Sequence, residues 1–161
     1  MKGNQKIIDA LNMLLADELT SISQYMVHSE TCAHWGYDKL HQAIEKRAID
    51  EMRHAEWLIG RIIYLEGAPV VSKLNPMKIG ADVVEMVKND LEAEFVAVKG
   101  YNESIGLAHQ VADQATVDLL TKILNDEERH VQWSEIQLAQ VAQMTLEGYL
   151  SMQSSGAAEA A

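Results

Sequence analysis

The sequence predicts an all-α protein, a four-helix bundle in which one long connection joins the second and third helices. Three observations carry that expectation. Apolar residues recur at helical spacing through almost the whole chain. Both prolines, Pro69 and Pro76, are confined to one stretch between Gly67 and Gly80. A constellation of residues occurs twice, the second copy 76 positions after the first: DEMRHAEW, from Asp50 to Trp57, returns as DEERHVQW, from Asp126 to Trp133, and Glu18–Tyr25 returns as Glu94–Tyr101. Two copies are too few for a solenoid and point to a two-fold arrangement.

The first helix is expected over about 5–33, with Leu11, Leu15, Ile22 and Ser29 on one stripe. A break near His34–Tyr37 leads to the second, over about 36–66, which carries Leu40, Ile44, Ala48, Ala55, Leu58, Ile62 and Leu65. The segment GAPVVSKLNPMKIG reads as an irregular crossover over about 67–81. The third helix, about 82–110, offers Val83, Val87, Leu91, Val98 and Ile105. After a break at Gln110–Asp113, where Asp113 suits an N-cap, the fourth runs over about 113–143 with Val117, Leu120, Leu124, Val131, Leu138 and Val141. A short fifth helix is expected over about 146–153, and the tail SSGAAEAA, about 154–161, is expected to fray. Helices of roughly 28–30 residues are about 42–45 Å long, and fourteen extended residues reach about 46 Å. The crossover can therefore return the chain to the far end of the bundle, while the two short breaks make each helix pair an antiparallel hairpin.

The 161 residues make one domain, 1–161, large enough to bury a core. No apolar run reaches the roughly 18–20 residues that a membrane span needs. The opening MKGNQKIIDALNMLL carries little charge, meets Asp9 early and lacks a small-residue cleavage site, so no signal peptide is expected. A lone cysteine, Cys32, excludes an intramolecular disulfide and a paired-cysteine metal knuckle, and a cytoplasmic home is expected. With 24 acidic against 13 basic residues the formal charge is −11. That argues against nucleic acid as a partner and suits both solubility and the attraction of cations.

The charged members of the repeat fall on the apolar stripes. Glu18 lies between Leu15 and Ile22, Glu51 between Ala48 and Ala55, Glu94 between Leu91 and Val98, and Glu127 between Leu124 and Val131. His54 and His130 each follow a glutamate by three residues, one turn along the same face. Glu18 and Glu51 are equidistant from the first hairpin turn, and Glu94 and Glu127 from the second, so each pair should meet across its own hairpin and all four near mid-bundle. Buried carboxylates repel one another and are costly unless protonated or neutralised by cations. Two divalent ions balance four carboxylates, and two imidazoles add neutral nitrogen donors. Oxygen-rich ligands with one histidine per metal suit iron or manganese, and the set matches the dimetal pattern of one Glu from each of two helices and Glu-x-x-His from the others.

Around this set, Asp50 and Asp126 precede the histidines by four residues and are candidates to hold the second ring nitrogen; exposed helix-surface aspartates are the alternative. Tyr25 and Tyr101 are either core tyrosines bonded to a glutamate or one-electron donors beside the metals. Trp57 and Trp133 read as packing residues, and Arg53 and Arg129 as facing solvent or a partner. Met52 falls off the ligand face, on a second apolar strip with Ile49, Ile59 and Ile63. A helix apolar on two sides usually buries a subunit interface.

From LLADELTSISQY through AIDEMRHAEWLIGRIIYLEGAP to LLTKILNDEERHVQWSE and MTLEGYL, the chain resembles the bacterioferritins, of the ferritin-like superfamily. The resemblance implies a di-iron ferroxidase centre at Glu18, Glu51, His54, Glu94, Glu127 and His130, with Glu51 and Glu127 bridging and Tyr25 beside it. It implies a cage of 24 subunits, built from two-fold dimers, that oxidises Fe(II) with dioxygen or peroxide and stores ferric mineral. It also implies a b-type haem or related porphyrin held by Met52 from each of two subunits, a ferredoxin-like reductase as electron donor, and a fifth helix at a symmetry axis. Some relatives carry a histidine that binds iron on the cavity surface where this chain has Lys46, which leaves Asp50 alone for that role. The rival is a dimetal peroxidase of the rubrerythrin type, which would usually bring a Cys-x-x-Cys domain that this sequence lacks. A third reading is a non-enzymatic helical scaffold. Particle size and an absorption spectrum separate the three.

Overall fold

In the computed structural model of the chain, which describes residues 1–155, the Asn4 side chain accepts the Lys6 amide and opens α1 (Gln5–His34). Such a cap satisfies an N–H group that a helix start leaves without an internal partner. Gly36, at φ 81°, makes the left-handed turn that brings α2 (Asp38–Tyr64) back antiparallel. Asp82 accepts the Glu85 amide and caps α3 (Val83–Gln110). Asp113 accepts the Thr116 amide and caps α4 (Gln114–Met144), as its sequence position suggests. The short α5 (Leu146–Ser151) follows. No strand occurs among the described residues, and the all-α bundle with one crossover is the architecture the sequence predicts. Of the tail expected to fray, residues 156–161 lie outside the described residues.

The crossover is an extended strap along α1. Asn12 Oδ1 accepts the Val70 amide, Thr20 Oγ1 that of Asn75, Gln24 Oε1 that of Lys78, and His28 Nε2 that of Gly80, at 2.8–3.0 Å. Side chains along one face of α1 thus satisfy the backbone of a segment that has no sheet or helix to do so. The strap ends where α3 begins, at the His28 end of α1, so α3 runs antiparallel to α1. A Cβ on Gly80 would stand 2.3 Å from the Met86 amide nitrogen, which is why glycine occupies this close approach.

α1 packs against α2 and α3, and α4 against α3; α2 and α4 approach each other less closely. The apolar core is split. One cluster gathers Ile7, Leu11, Leu15, Leu58, Ile62, Tyr101, Leu120 and Ile123 towards one end. The other gathers Tyr25, Cys32, Leu40, Ile44, Met86, Val87 and Tyr149 towards the opposite end. The buried polar layer lies between them. α5 belongs to the second cluster: Tyr149 is buried and its hydroxyl donates to Gln137 Oε1 at 2.8 Å. The helix ends at Ser151 rather than near 153, and the Gln153 carbonyl accepts the Lys39 amide at 3.0 Å, tying this end of the chain to the start of α2.

On α3 and α4 the buried stripe is turned relative to the predicted one. Leu91, Val98, Leu124 and Val131 are half-buried, while Asp90, Glu94, Ala97 and Tyr101, with Ile123, Glu127 and His130, take the centre. A stripe drawn at strict seven-residue steps drifts by about 20° per step on a straight helix, so it lands on the flank.

Candidate metal centre

Glu18, Glu51, His54, Glu94, Glu127 and His130 are all buried, and the packing brings all six together. They form two overlapping groups. Glu18, Glu51, His54 and Glu127 offer ligand atoms within 4.8 Å of one another, and Glu51, Glu94, Glu127 and His130 do the same. Glu51 and Glu127 belong to both groups. Each outer glutamate sits with the Glu-x-x-His of its own hairpin, as equal distance from the turn requires.

The contacts between the groups cross the bundle. His54 Nδ1 lies 2.9 Å from Glu51 on its own helix and 2.9 Å from Glu127 on α4. His130 Nδ1 lies 2.9 Å from Glu51 on α2 and 3.6 Å from Glu127. The Tyr25 hydroxyl donates to Glu94 at 2.5 Å, and that of Tyr101 donates to Glu18, so each tyrosine serves the carboxylate of the other hairpin. The outer ring nitrogens cross as well. His54 Nε2 faces Asp126 at 3.2 Å, and His130 Nε2 faces Asp50 at 3.8 Å. The aspartates thus sit behind the histidines of the opposite helix, not behind those four residues on. Lys46 pairs with Asp50 at 2.6 Å, Arg53 with Asp50 at 3.4 Å, and Arg129 with Asp126, with all three cations largely in solvent. Trp57 packs on the His54 ring, 5.8 Å between centroids.

Crowding of carboxylates and imidazoles shifts the proton affinities in this layer strongly. Burial works against a charged imidazole, but the surrounding glutamates override it and push His54 up to about 12 and His130 to about 11. Burial, with the charges of Glu127 and Glu51, holds the Glu18 carboxyl well above its ordinary range. Burial and Glu51 push Glu127 up to about 7. Burial raises Glu51 too, yet contacts from His130 and His54 outweigh it and leave this carboxyl low. Glu94 is also lowered: burial and Glu51 oppose its charge, and His130 and Arg47 prevail.

The donor set fits divalent cations. Glu51 Oε1, both oxygens of Glu127 and His130 Nδ1 are buried and make no hydrogen bond in this layer, despite separations of 2.9–3.6 Å between them. Buried polar atoms normally find partners. Buried donor atoms this close together and without hydrogen bonds are ones that a shared cation would satisfy. Carboxylate oxygens with one imidazole nitrogen per group suit hard to borderline ions such as Fe(II) or Mn(II).

The sequence reading missed Arg47. Its guanidinium is buried, Nη2 lies 2.5 Å from Glu94 Oε1, and the group sits 4.7 Å from the Tyr25 ring centroid and 5.0 Å from that of Trp133. The signal was available: Arg47 precedes Glu51 by four residues on an apolar face, and the matching position in the second copy is Ile123.

Met52 lies elsewhere, 54% exposed, on the outer side of α2. Ile49 and Ile63 of its predicted strip are likewise exposed, and Ile59 is half-buried. Met52, Ile49, Ala48, Ile22 and Met26 line an open groove between α1 and α2 that is mostly apolar and rimmed by Glu30 and Glu45. A soft thioether on an apolar surface is chemically suited to axial ligation of haem iron. No helix among the described residues is long and apolar enough to cross a membrane.

Residues 8–144 match the family description of a ferritin-like domain. A "Bacterial ferritin" of Synechocystis sp. is 38% identical over 156 residues, 96% of this chain and all of that protein. A "Bacterioferritin" of Brucella melitensis is 36% identical over 160 residues, 99% of each chain. A "Bacterioferritin" of Rhodobacter capsulatus is 37% identical over 149 residues, 92% of each chain.

Proposed function

This chain belongs to the bacterioferritins, an iron-storage family of the ferritin-like proteins, and from that premise we propose that it is a ferroxidase that oxidises Fe(II) and stores the ferric product. The observation that carries the reading is the pair of four-residue groups sharing Glu51 and Glu127. Glu51 and Glu127, common to both groups, would be shared by two ions; Glu18 with His54, and Glu94 with His130, would hold one ion each. Tyr101 and Tyr25 donate hydrogen bonds that fix the outer carboxylates. Asp126 would accept from the His54 Nε2–H at 3.2 Å, and Asp50 faces His130 Nε2 at 3.8 Å; carboxylates on the outer ring nitrogens favour the tautomer whose Nδ1 lone pair faces inward.

Two Fe(II) ions at this site are substrates that give up one electron each. One dioxygen takes the two electrons and two protons and becomes hydrogen peroxide; one peroxide treated in the same way becomes two waters. Bridging carboxylates hold the pair close enough for both electrons to reach a single oxidant. Tyr25, hydrogen-bonded to Glu94 Oε1, would be a one-electron donor to an oxidant that takes more than the two electrons the irons give. Asp50 and Asp126, each already paired with a surface cation, would support the histidines rather than hold iron on a cavity surface.

Met52 would hold a b-type haem or related porphyrin jointly with a second copy of the chain, and the haem would supply a relay for electrons that return stored iron to Fe(II). Ferric product collects in a cytoplasmic cage of 24 chains built from two-fold dimers, with a ferredoxin-like reductase as electron source. The test is stopped-flow oxidation of two Fe(II) per chain. A fast phase is expected in the natural protein, and an oxidation rate no faster than that of free Fe(II) in buffer would refute the reading.

A further inference from the structure

We infer that Arg47 makes the two positions of the dimetal centre unequal, so that a divalent ion fills the Glu18–His54 position first and the Glu94–His130 position second. The inference rests on the dimetal reading and deepens it.

The two halves of the site match at their glutamates, histidines and neighbouring aromatics, and differ here and at Asp90, whose counterpart is Leu14. Glu18, Tyr25, Glu51, His54 and Trp57 have their counterparts in Glu94, Tyr101, Glu127, His130 and Trp133, whereas Arg47 has Ile123. Both Arg47 and Ile123 are buried, so the difference is felt inside the bundle. Glu94 Oε1 receives both the Arg47 Nη2 and the Tyr25 hydroxyl at 2.5 Å. Glu18 Oε1 receives the Tyr101 hydroxyl, and its other oxygen faces His54 at 3.5 Å. A guanidinium keeps its charge at any pH the protein meets. An ion arriving at Glu94 must therefore share that carboxylate with a fixed cation or push the cation aside, and an ion arriving at Glu18 need not.

The position of Arg47 is held from both faces, by the Tyr25 and Trp133 rings. Arg47 Nε and Nη1 have no partner, and neither has Oδ2 of the buried Asp90, a carboxylate that also acts electrostatically on the guanidinium. A guanidinium displaced from Glu94 thus has a second carboxylate to turn towards, and the Glu94 position opens at a cost instead of being blocked.

Repulsion between two ions would produce stepwise filling by itself, but no preference for either position. Order is therefore the decisive readout. Crystals of the metal-free protein given one Co(II) per chain should show anomalous density at Glu18–His54 in excess over Glu94–His130 by about 10-fold or more, the range by which groups contacting metal ligands shift affinity. Arg47→Met should spread the ion evenly over both positions, and Arg47→Lys, which keeps the charge, should restore the preference. Equal occupancy in the natural protein, a preference for Glu94–His130, or a preference that survives in Arg47→Met overturns the inference. If Arg47→Met fails to fold, the natural protein and Arg47→Lys decide it alone. Absence of Co(II) from both positions overturns the dimetal reading and the inference together.

Discussion

His54 turns its Nε2 towards Asp126 at 3.2 Å, and that aspartate stands on α4 while the histidine stands on α2. The same exchange joins His130 to Asp50, Tyr25 to Glu94 and Tyr101 to Glu18. Each half of the repeat supplies ligands that the other half orients. Neither hairpin builds a working half-site alone, because the groups that fix its rotamers arrive only when the two hairpins dock.

The cross-support can be measured by removing it. Asp126→Ala should weaken metal binding by about 10-fold or more, since groups behind a ligating histidine typically contribute that much. Asp50→Ala should cost less, because Asp50 is 3.8 Å from His130 and already engaged by Lys46. Calorimetric titration of both metal-free variants checks the order.

Glu18→Gln and His130→Ala should both abolish fast Fe(II) oxidation in stopped flow, each by removing a terminal ligand. They should differ in stability. Burial and the charges of Glu127 and Glu51 favour the neutral form of the Glu18 carboxyl, so a glutamine of the same shape should leave the melting temperature of the metal-free protein unchanged or higher. His130→Ala removes an imidazolium set among Glu51, Glu94 and Glu127. Breaking a buried ion pair costs about 3–5 kcal/mol, and melting should fall accordingly.

Loading the site should release protons. His54 and His130 are pushed up to about 12 and about 11 by the surrounding glutamates, Glu18 is held well above its ordinary range by burial, and Glu127 is pushed up to about 7. Two ions displace about three protons, so apparent affinity falls as pH falls; calorimetry in buffers of different ionisation enthalpy counts them. The sign for stability is opposite. All four groups bind protons more tightly folded than unfolded, so their stabilisation is present below the ordinary values of 4.5 and 6.5 and is lost as pH rises towards the folded ones. Metal-free protein should melt several degrees lower at pH 9 than at pH 7, and Mn(II) should remove the difference.

Met52→Leu should yield protein without a porphyrin absorption band and with the Fe(II) oxidation rate intact, because Met52 faces away from the buried layer. A band that survives unchanged would place any haem elsewhere.

Much of this site is legible in the sequence because ligands must recur at fixed helical spacing, and a duplicated spacing is hard to produce by chance. The crossover is legible for the same kind of reason, since two prolines and two glycines in fourteen residues leave little room for a helix. Spacing along a helix, however, specifies neighbours on that helix only. The partners of Asp50, Asp126, Tyr25 and Tyr101 lie across the bundle, where rotation and register of the docked hairpins decide. Arg47 was hidden differently. A search for what two segments share passes over the residue that only one of them has.

The division of the apolar core has a mechanical consequence. With Leu11, Leu58 and Leu120 in one cluster and Leu40, Ile44 and Met86 in the other, the molecule is two short bundles joined by a polar waist, where like charges push outward unless something positive draws them in. Helical bundles ordinarily loosen from their ends. Here, in metal-free protein, the chain should exchange its amide hydrogens early around Glu51 and Glu127, at mid-length, so that the rods part most readily at their middle.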